Sequence, residues 1–182
     1  MKPLRIAVVV GSIRQDSYSR RFAQALARLA PDDVKFDFIR IDDLPHYNQD
    51  HDGHDAPETQ RLKRAIEAAD GVLFVTPEYS RSIPGVLKNA LDLGARPYGQ
   101  SRWAGKPAAA VGVSPGAMAG SMAVQHLRNV LAAMDMRTLA GPEMYIHWQD
   151  GLVDAEGRVG EGSRAFAQRF MDTFIDWVRR FA

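Results

Sequence analysis

Hydrophobic and polar positions alternate along this chain in two rhythms, one of strands and one of helices, exchanged several times. "LRIAVVV" (Leu4–Val10) is short, rich in β-branched residues and ends at Gly11-Ser12, as expected of a strand buried on both faces. Beyond Ser19 the period changes: Phe22, Leu26 and Leu29 recur at intervals of four and three, with Arg20, Arg21 and Arg28 left to face solvent. That spacing predicts a helix, which Pro31 stops. "VKFDFIRI" alternates as a second strand, and "DDLPHYNQDHDGHDAPE" after it is a long polar connection. Leu62, Ala65, Ile66 and Ala69 mark one face of a second helix that ends at Asp70-Gly71, and "VLFVT" is a third strand. Pro84 suits the first turn of a helix whose apolar side is Val86, Leu87, Ala90 and Leu91.

"GKPAAAVGV" reads as a fourth strand, "SPGAMAG" as a turn, and Ser121 to Met134 as a helix apolar on more than one side, hence central or covered by a second subunit. "MRTLAG" is a short last strand, and Phe166, Phe170, Phe174, Trp177 and Phe181 form the core-packing stripe of a closing helix. Strands alternating with helices predict an α/β fold, a three-layer sandwich around a five-stranded parallel sheet with right-handed crossovers. Ligands bind such sheets beyond the carboxyl ends of the strands, so the first, third and fourth strand-to-helix loops should converge.

With 182 residues and no linker or repeat, one domain spanning 1–182 is expected. The 23 Lys plus Arg against 22 Asp plus Glu give no basic excess to attract nucleic acid or an anionic membrane. There is no cysteine, which excludes disulfides, thiolate metal ligation and a thiol relay, so any redox chemistry must come from a bound cofactor. The apolar stretch in "MKPLRIAVVVGS" is shorter than a signal-peptide core or a membrane span, and the expected location is cytoplasmic.

The first loop, "GSIRQDSYSR", lacks the three glycines of a dinucleotide turn and the Gly-Lys-Ser/Thr of a P-loop. It does offer hydroxyls at Ser12, Ser17 and Ser19, a cation at Arg14 and free N–H groups at a helix N-terminus, a set that suits a phosphate monoester. Either Ser17 or Ser19 alone would read as a helix cap; three serines with an arginine read as a site. In "TPEYSRS" Pro77 fixes the backbone, and Glu78, Tyr79 and Ser80 supply an acceptor, an aromatic face and a hydroxyl, against the plainer reading of a turn with a surface tyrosine.

"GSIRQDSYSRRFAQAL", "TPEYSRSIPGVLKNALD" and "GKPAAAVGVSPGAMAGSMAVQHLRNVL" together resemble the three segments of the NADPH-dependent FMN reductases, a flavodoxin-like group that includes quinone, chromate and azo reductases. The resemblance runs in order from Leu4 to Met136. It implies FMN, with its phosphate at Ser12, Arg14, Ser17, Tyr18 and Ser19 and its ring against Pro77, Glu78, Tyr79 and Ser80 and against Ser114 to Gly116. It also implies NADPH or NADH as donor, a quinone or similar small-molecule acceptor (chromate, azo compounds, free flavin), and a homodimer or homotetramer with the fourth helix at one interface. Tyr79, Arg81 and the loop around Tyr47 are expected at the rim of an open ring face. The flavin carries the chemistry, so no catalytic residue is assigned. The chain departs from the family at Ser19 and Ser80, where members commonly carry Asn and this chain has a shorter hydroxyl.

Other readings compete. Gly112-Val113-Ser114-Pro115-Gly116 fits G-x-S-x-G, with Asp135 and His147 in the chain order of a serine hydrolase, yet Pro115 lacks the N–H that its oxyanion hole requires. His46, His51 and His54 among Asp50, Asp52 and Asp55 read as a solvated loop in preference to a metal site. A flavodoxin-type electron carrier would bind FMN too, but such carriers are usually strongly acidic and this chain is near neutral.

Overall fold

A computed structural model describes residues 3–182. Strands β1 (Leu4–Val10), β2 (Val34–Ile39), β3 (Gly71–Thr76), β4 (Pro107–Ser114) and β5 (Arg137–Thr138) lie in the order β2-β1-β3-β4-β5, every pairing parallel. This is the doubly wound order whose switch point lies between β1 and β3. Helices α1 (Tyr18–Ala27), α2 (Pro57–Glu67), α3 (Gly85–Gly94), α4 (Ser121–Ala133) and α5 (Glu161–Arg179) cover the sheet. No helix among the described residues is long and apolar enough to cross a membrane.

The two-residue period of a strand divides the core in two. Ile6, Val8 and Val10 of β1 join Phe22 and Leu26 of α1 and Phe170 and Phe174 of α5 on one face. Ala7 and Val9 join Leu62 of α2, Leu87 and Leu91 of α3 and Val124 and Leu127 of α4 on the other. The aromatic stripe of α5 is core at Phe170 and Phe174, whereas Phe181 lies past the helix end and is 39% exposed. Pro84 sits just before the first turn of α3 as its N-cap, not inside that turn.

The fifth sheet position holds a correction to the sequence reading. Only Arg137–Thr138 of "MRTLAG" pairs with β4; the chain then leaves the sheet, passes Gly141-Pro142, and returns as β6 (Met144–His147), which pairs with Val111–Ser114. Pro142 has no N–H to give a ladder, so the strand breaks there. Two segments therefore share one edge, and the second lies beside the carboxyl half of β4.

Close packing of β4 against α4 depends on glycine. A Cβ on Gly112 would lie 2.7 Å from the Gly120 carbonyl oxygen, and Gly120 has φ 82°, a region that favours glycine. Backbone thus meets backbone where α4 begins, and the turn at 115–120 is drawn over the end of the sheet.

Candidate functional site

The loops after β1, β3 and β4 meet at the carboxyl ends of their strands, as the topology requires. Between them lies a cleft of about 230 Å³, lined at one end by Ser12, Arg14, Ser17, Tyr18 and Ser19 and at the other by Pro77, Glu78, Tyr79, Val113, Ser114 and Pro115. Ser80 and Gly116 stand next to lining residues without lining the cleft themselves.

In the first loop Ser17 is the N-cap of α1: its Oγ accepts the Arg20 N–H at 3.1 Å, the role that a lone serine suggests. The Ser12 Oγ accepts from the Arg14 N–H at 3.4 Å. Ser19 is different. It is 1% exposed, and its Oγ is buried without a hydrogen-bond partner. Leaving a hydroxyl in that state costs about 1–3 kcal/mol. Arg14 extends from the same loop with its guanidinium 5.3 Å from the centre of the Tyr18 ring, and among the described residues it forms no salt bridge. An orphaned hydroxyl, an unpaired cation and the first amides of a helix fit the phosphate end of FMN.

The β3 loop is built otherwise. Glu78 turns its carboxylate to α4, where Oε2 accepts the Met122 N–H at 3.0 Å and the Ala123 N–H at 3.2 Å. It supplies the negative charge that the first turn of α4 lacks. Tyr79 and Ser82 exchange two backbone hydrogen bonds of 3.0 Å, closing a two-residue hairpin over Ser80 and Arg81 at φ 50° and 65°. Positive φ at both central positions is the primed geometry usually given to Asn-Gly. Ser82 Oγ meets His126 Nδ1 of α4 at 2.7 Å, a second tie between this loop and α4. What remains for a ligand is the Pro77 backbone and the ring of Tyr79, 53% exposed.

The β4 loop is held from the edge of the sheet. Ser114 Oγ accepts from the Gly116 N–H at 3.1 Å, Trp148 donates its backbone N–H to the Ser114 carbonyl at 2.9 Å, and His147 Nδ1 lies 3.2 Å from the Gly116 carbonyl. His147 thus comes near Gly116. Asp135, however, accepts the Gly105 N–H ahead of β4, the full length of the strand or about 25 Å from Ser114 at ~3.3 Å per residue, so Asp135 cannot join Ser114 in a hydrolase triad.

Tyr47 is not at the rim of this cleft. Its N–H donates to Asn89 Oδ1 of α3, Asn89 Nδ2 donates to the Pro45 carbonyl, and Arg96 lies 5.5 Å from its ring centre. It lines a separate cavity with His46, His51, Leu93 and Arg96. Desolvation there pushes the phenol above its usual range, with Arg96 pulling the other way. The loop was drawn to α3 by one asparagine, a contact that polar loop composition does not reveal. Among the described residues no group of three or more His, Cys, Asp or Glu is arranged to hold a metal ion. A larger open groove, about 510 Å³, lies between α1 and residues 153–157 and shares no residue with the cleft.

Sequence reasoning missed Val113 and Trp148, whereas Pro115 falls within the expected stretch Ser114 to Gly116. Val113 adjoins Ser114 and is within reach of the motif. Trp148 follows an unrecognised strand, and no local periodicity points to it.

Residues 4–150 match the family model described as NADPH-dependent FMN reductase. Among curated proteins the chain is similar to a 2-hydroxy-1,4-benzoquinone reductase from a Burkholderia species, 53% identical over 97% of both chains. It is also similar to a quinone reductase from Pseudomonas putida, 47% identical over 96% of this chain and 94% of that one. Among solved structures it superposes on the flavoenzyme NAD(P)H:(acceptor) oxidoreductase FerB from Paracoccus denitrificans with TM-score 0.93, at 42% identity and 98% coverage of each chain.

Proposed function

The chain belongs to the NADPH-dependent FMN reductase family, and from that premise we propose that it reduces quinones with FMN seated where the β1, β3 and β4 loops meet. It is an NAD(P)H-dependent oxidoreductase that uses FMN. The observation that carries the seating is Ser19, a buried hydroxyl without a partner on the wall of a cleft that also holds Arg14 and the start of α1. In this reading Ser12, Arg14, Ser17, Tyr18 and Ser19 line the phosphate end, Arg14 and Ser19 with groups still free for the anion, while Pro77, Glu78, Tyr79, Ser114 and Pro115 line the ring end with Ser80 and Gly116 next to them. When bound, FMN supplies the two-electron chemistry between NAD(P)H and the acceptor.

The chain's own residues bind and orient. Arg14 and the α1 amides neutralise the anion, and Pro77 with the double-bonded hairpin presents a fixed backbone edge. Glu78 and Ser82 keep that edge in place through α4. The quinone reductase activities of the Burkholderia and Pseudomonas putida relatives support quinones as acceptors; chromate, azo compounds and free flavin belong in the same assay. The near-balanced charge speaks against a carrier that docks basic protein partners. A homodimer or homotetramer is part of the proposal, supported by Met118, Met122 and Tyr79, large side chains that are exposed beside the cleft, and the proposed location is cytoplasmic.

The test is spectral. Purified protein titrated with FMN should give a bound-flavin spectrum that bleaches on anaerobic addition of NADPH and recovers on addition of a benzoquinone. Absence of FMN binding at high micromolar concentration would overturn the seating, and bleaching without recovery would overturn the acceptor.

A further inference from the structure

Four side chains stand in a row beside the anion-holding end of the cleft. The guanidinium of Arg14 lies 5.3 Å from the centre of the Tyr18 ring. Tyr18 stacks on Trp148 with centroids 4.5 Å apart and planes 20° from parallel. Arg21 caps the far side, 4.8 Å from the centre of the Trp148 ring. The sequence order of the row is 14, 18, 148, 21, so one member comes from the other end of the chain.

Trp148 has two attachments that bear on the site. Its ring fixes the plane of Tyr18, and its backbone N–H donates to the carbonyl of Ser114, which lines the ring end of the cleft. Both aromatic residues are half-buried against the α1–α5 core, so the stack has a firm base. Arg14, by contrast, is exposed, and its guanidinium lies against the Tyr18 ring. The direction of that cation is set by Tyr18, and the direction of Tyr18 by Trp148.

We propose that Trp148 is a positioning residue for anion recognition: it holds Tyr18, and through Tyr18 the Arg14 guanidinium, against the phosphate end of the ligand. The proposal rests on the reading that the cleft takes FMN. Trp148 touches neither the phosphate nor the reacting atoms in this account. Cation–aromatic and aromatic–aromatic contacts of this kind are individually modest, so losing the stack should weaken an anion's binding about tenfold without abolishing it.

Riboflavin, which is FMN without the phosphate, separates positioning from general packing. In apo-protein titrations, Trp148→Leu should raise the Kd for FMN about tenfold and leave that for riboflavin within about twofold, collapsing the preference for the phosphorylated ligand. Trp148→Phe, which keeps a flat ring, should restore most of the preference. In an Arg14→Gln background, Trp148→Leu should cost little more, because the group it positions is already gone. Equal losses for both flavins, or full additivity with Arg14→Gln, would overturn the proposal in favour of plain packing. If Trp148→Leu does not fold, Tyr18→Leu interrupts the same row, and an unchanged FMN-to-riboflavin ratio in that variant overturns the proposal equally. A wild-type protein that binds neither flavin overturns the seating of FMN itself, a result distinct from wild-type binding with an unmoved ratio.

Discussion

The loops after β1 and β3 carry similar inventories, serines with an arginine in one and Glu, Tyr, Ser and Arg in the other, yet they use them in opposite ways. The β1 loop keeps two groups in reserve, Ser19 Oγ without a partner and Arg14 without a salt bridge among the described residues, while Ser12 and Ser17 already accept N–H groups of their own segment. The β3 loop spends its acid and its hairpin ends on its own scaffold, Glu78 on two amides of α4, Ser82 on His126, and Tyr79 and Ser82 on each other; Arg81 alone of its charged groups has no such tie among the described residues. A polar residue in a binding motif is thus either a ligand contact or a strut. The two are told apart by whether its hydrogen bonds are already made.

Substitutions that separate affinity from stability sharpen the contrast. The largest effect belongs to Glu78→Ala, which strips two α4 amides of a charged acceptor and should lower stability by about 2–3 kcal/mol in urea unfolding of the apo-protein. If instead it weakened FMN binding with stability unchanged, Glu78 would be a ligand contact and the comparison would break. Arg14→Gln should do the reverse: apo stability within about 0.5 kcal/mol of wild type, and FMN affinity down tenfold or more, the equivalent of about 1.4 kcal/mol or more. Ser19→Ala is milder. It removes a hydroxyl that has no protein partner, so apo unfolding should be unchanged or slightly harder while FMN affinity falls about fivefold. The smallest effect is Ser80→Gly, which relieves a positive φ and should stabilise the protein by about 0.5–1 kcal/mol, read as a higher urea midpoint.

The parts of the fold written in the sequence are those made by local pattern. β1, β3 and β4 are continuous apolar runs, α5 repeats aromatics at helical spacing, and strand–helix alternation alone predicts that three loops meet. β6 escapes because its four residues, with Met144 and Ile146 in one core, Tyr145 half-buried against the other and His147 exposed, make too short an alternation, set just after a proline. Within the site, the serines and Arg14 were legible as residue types. The destination of the Glu78 carboxylate was not, because it depends on the first turn of α4, whose Met122 amide lies 44 residues later. Tyr47 was misassigned for the same reason, since Asn89 holds its loop from 42 residues away.

The split of the fifth sheet position into β5 and β6 has a consequence in time. The loops that line the cleft have all been synthesised once Gly116 leaves the ribosome, but β6 and Trp148, which hold the β4 loop and Tyr18, lie about thirty residues downstream, ~2–6 s at ~5–20 residues per second. For that interval a nascent chain carries the walls of the cleft without their buttress. With FMN seated as proposed, loading on the ribosome would be weaker until the sheet's last edge is in place, however early the binding residues themselves emerge.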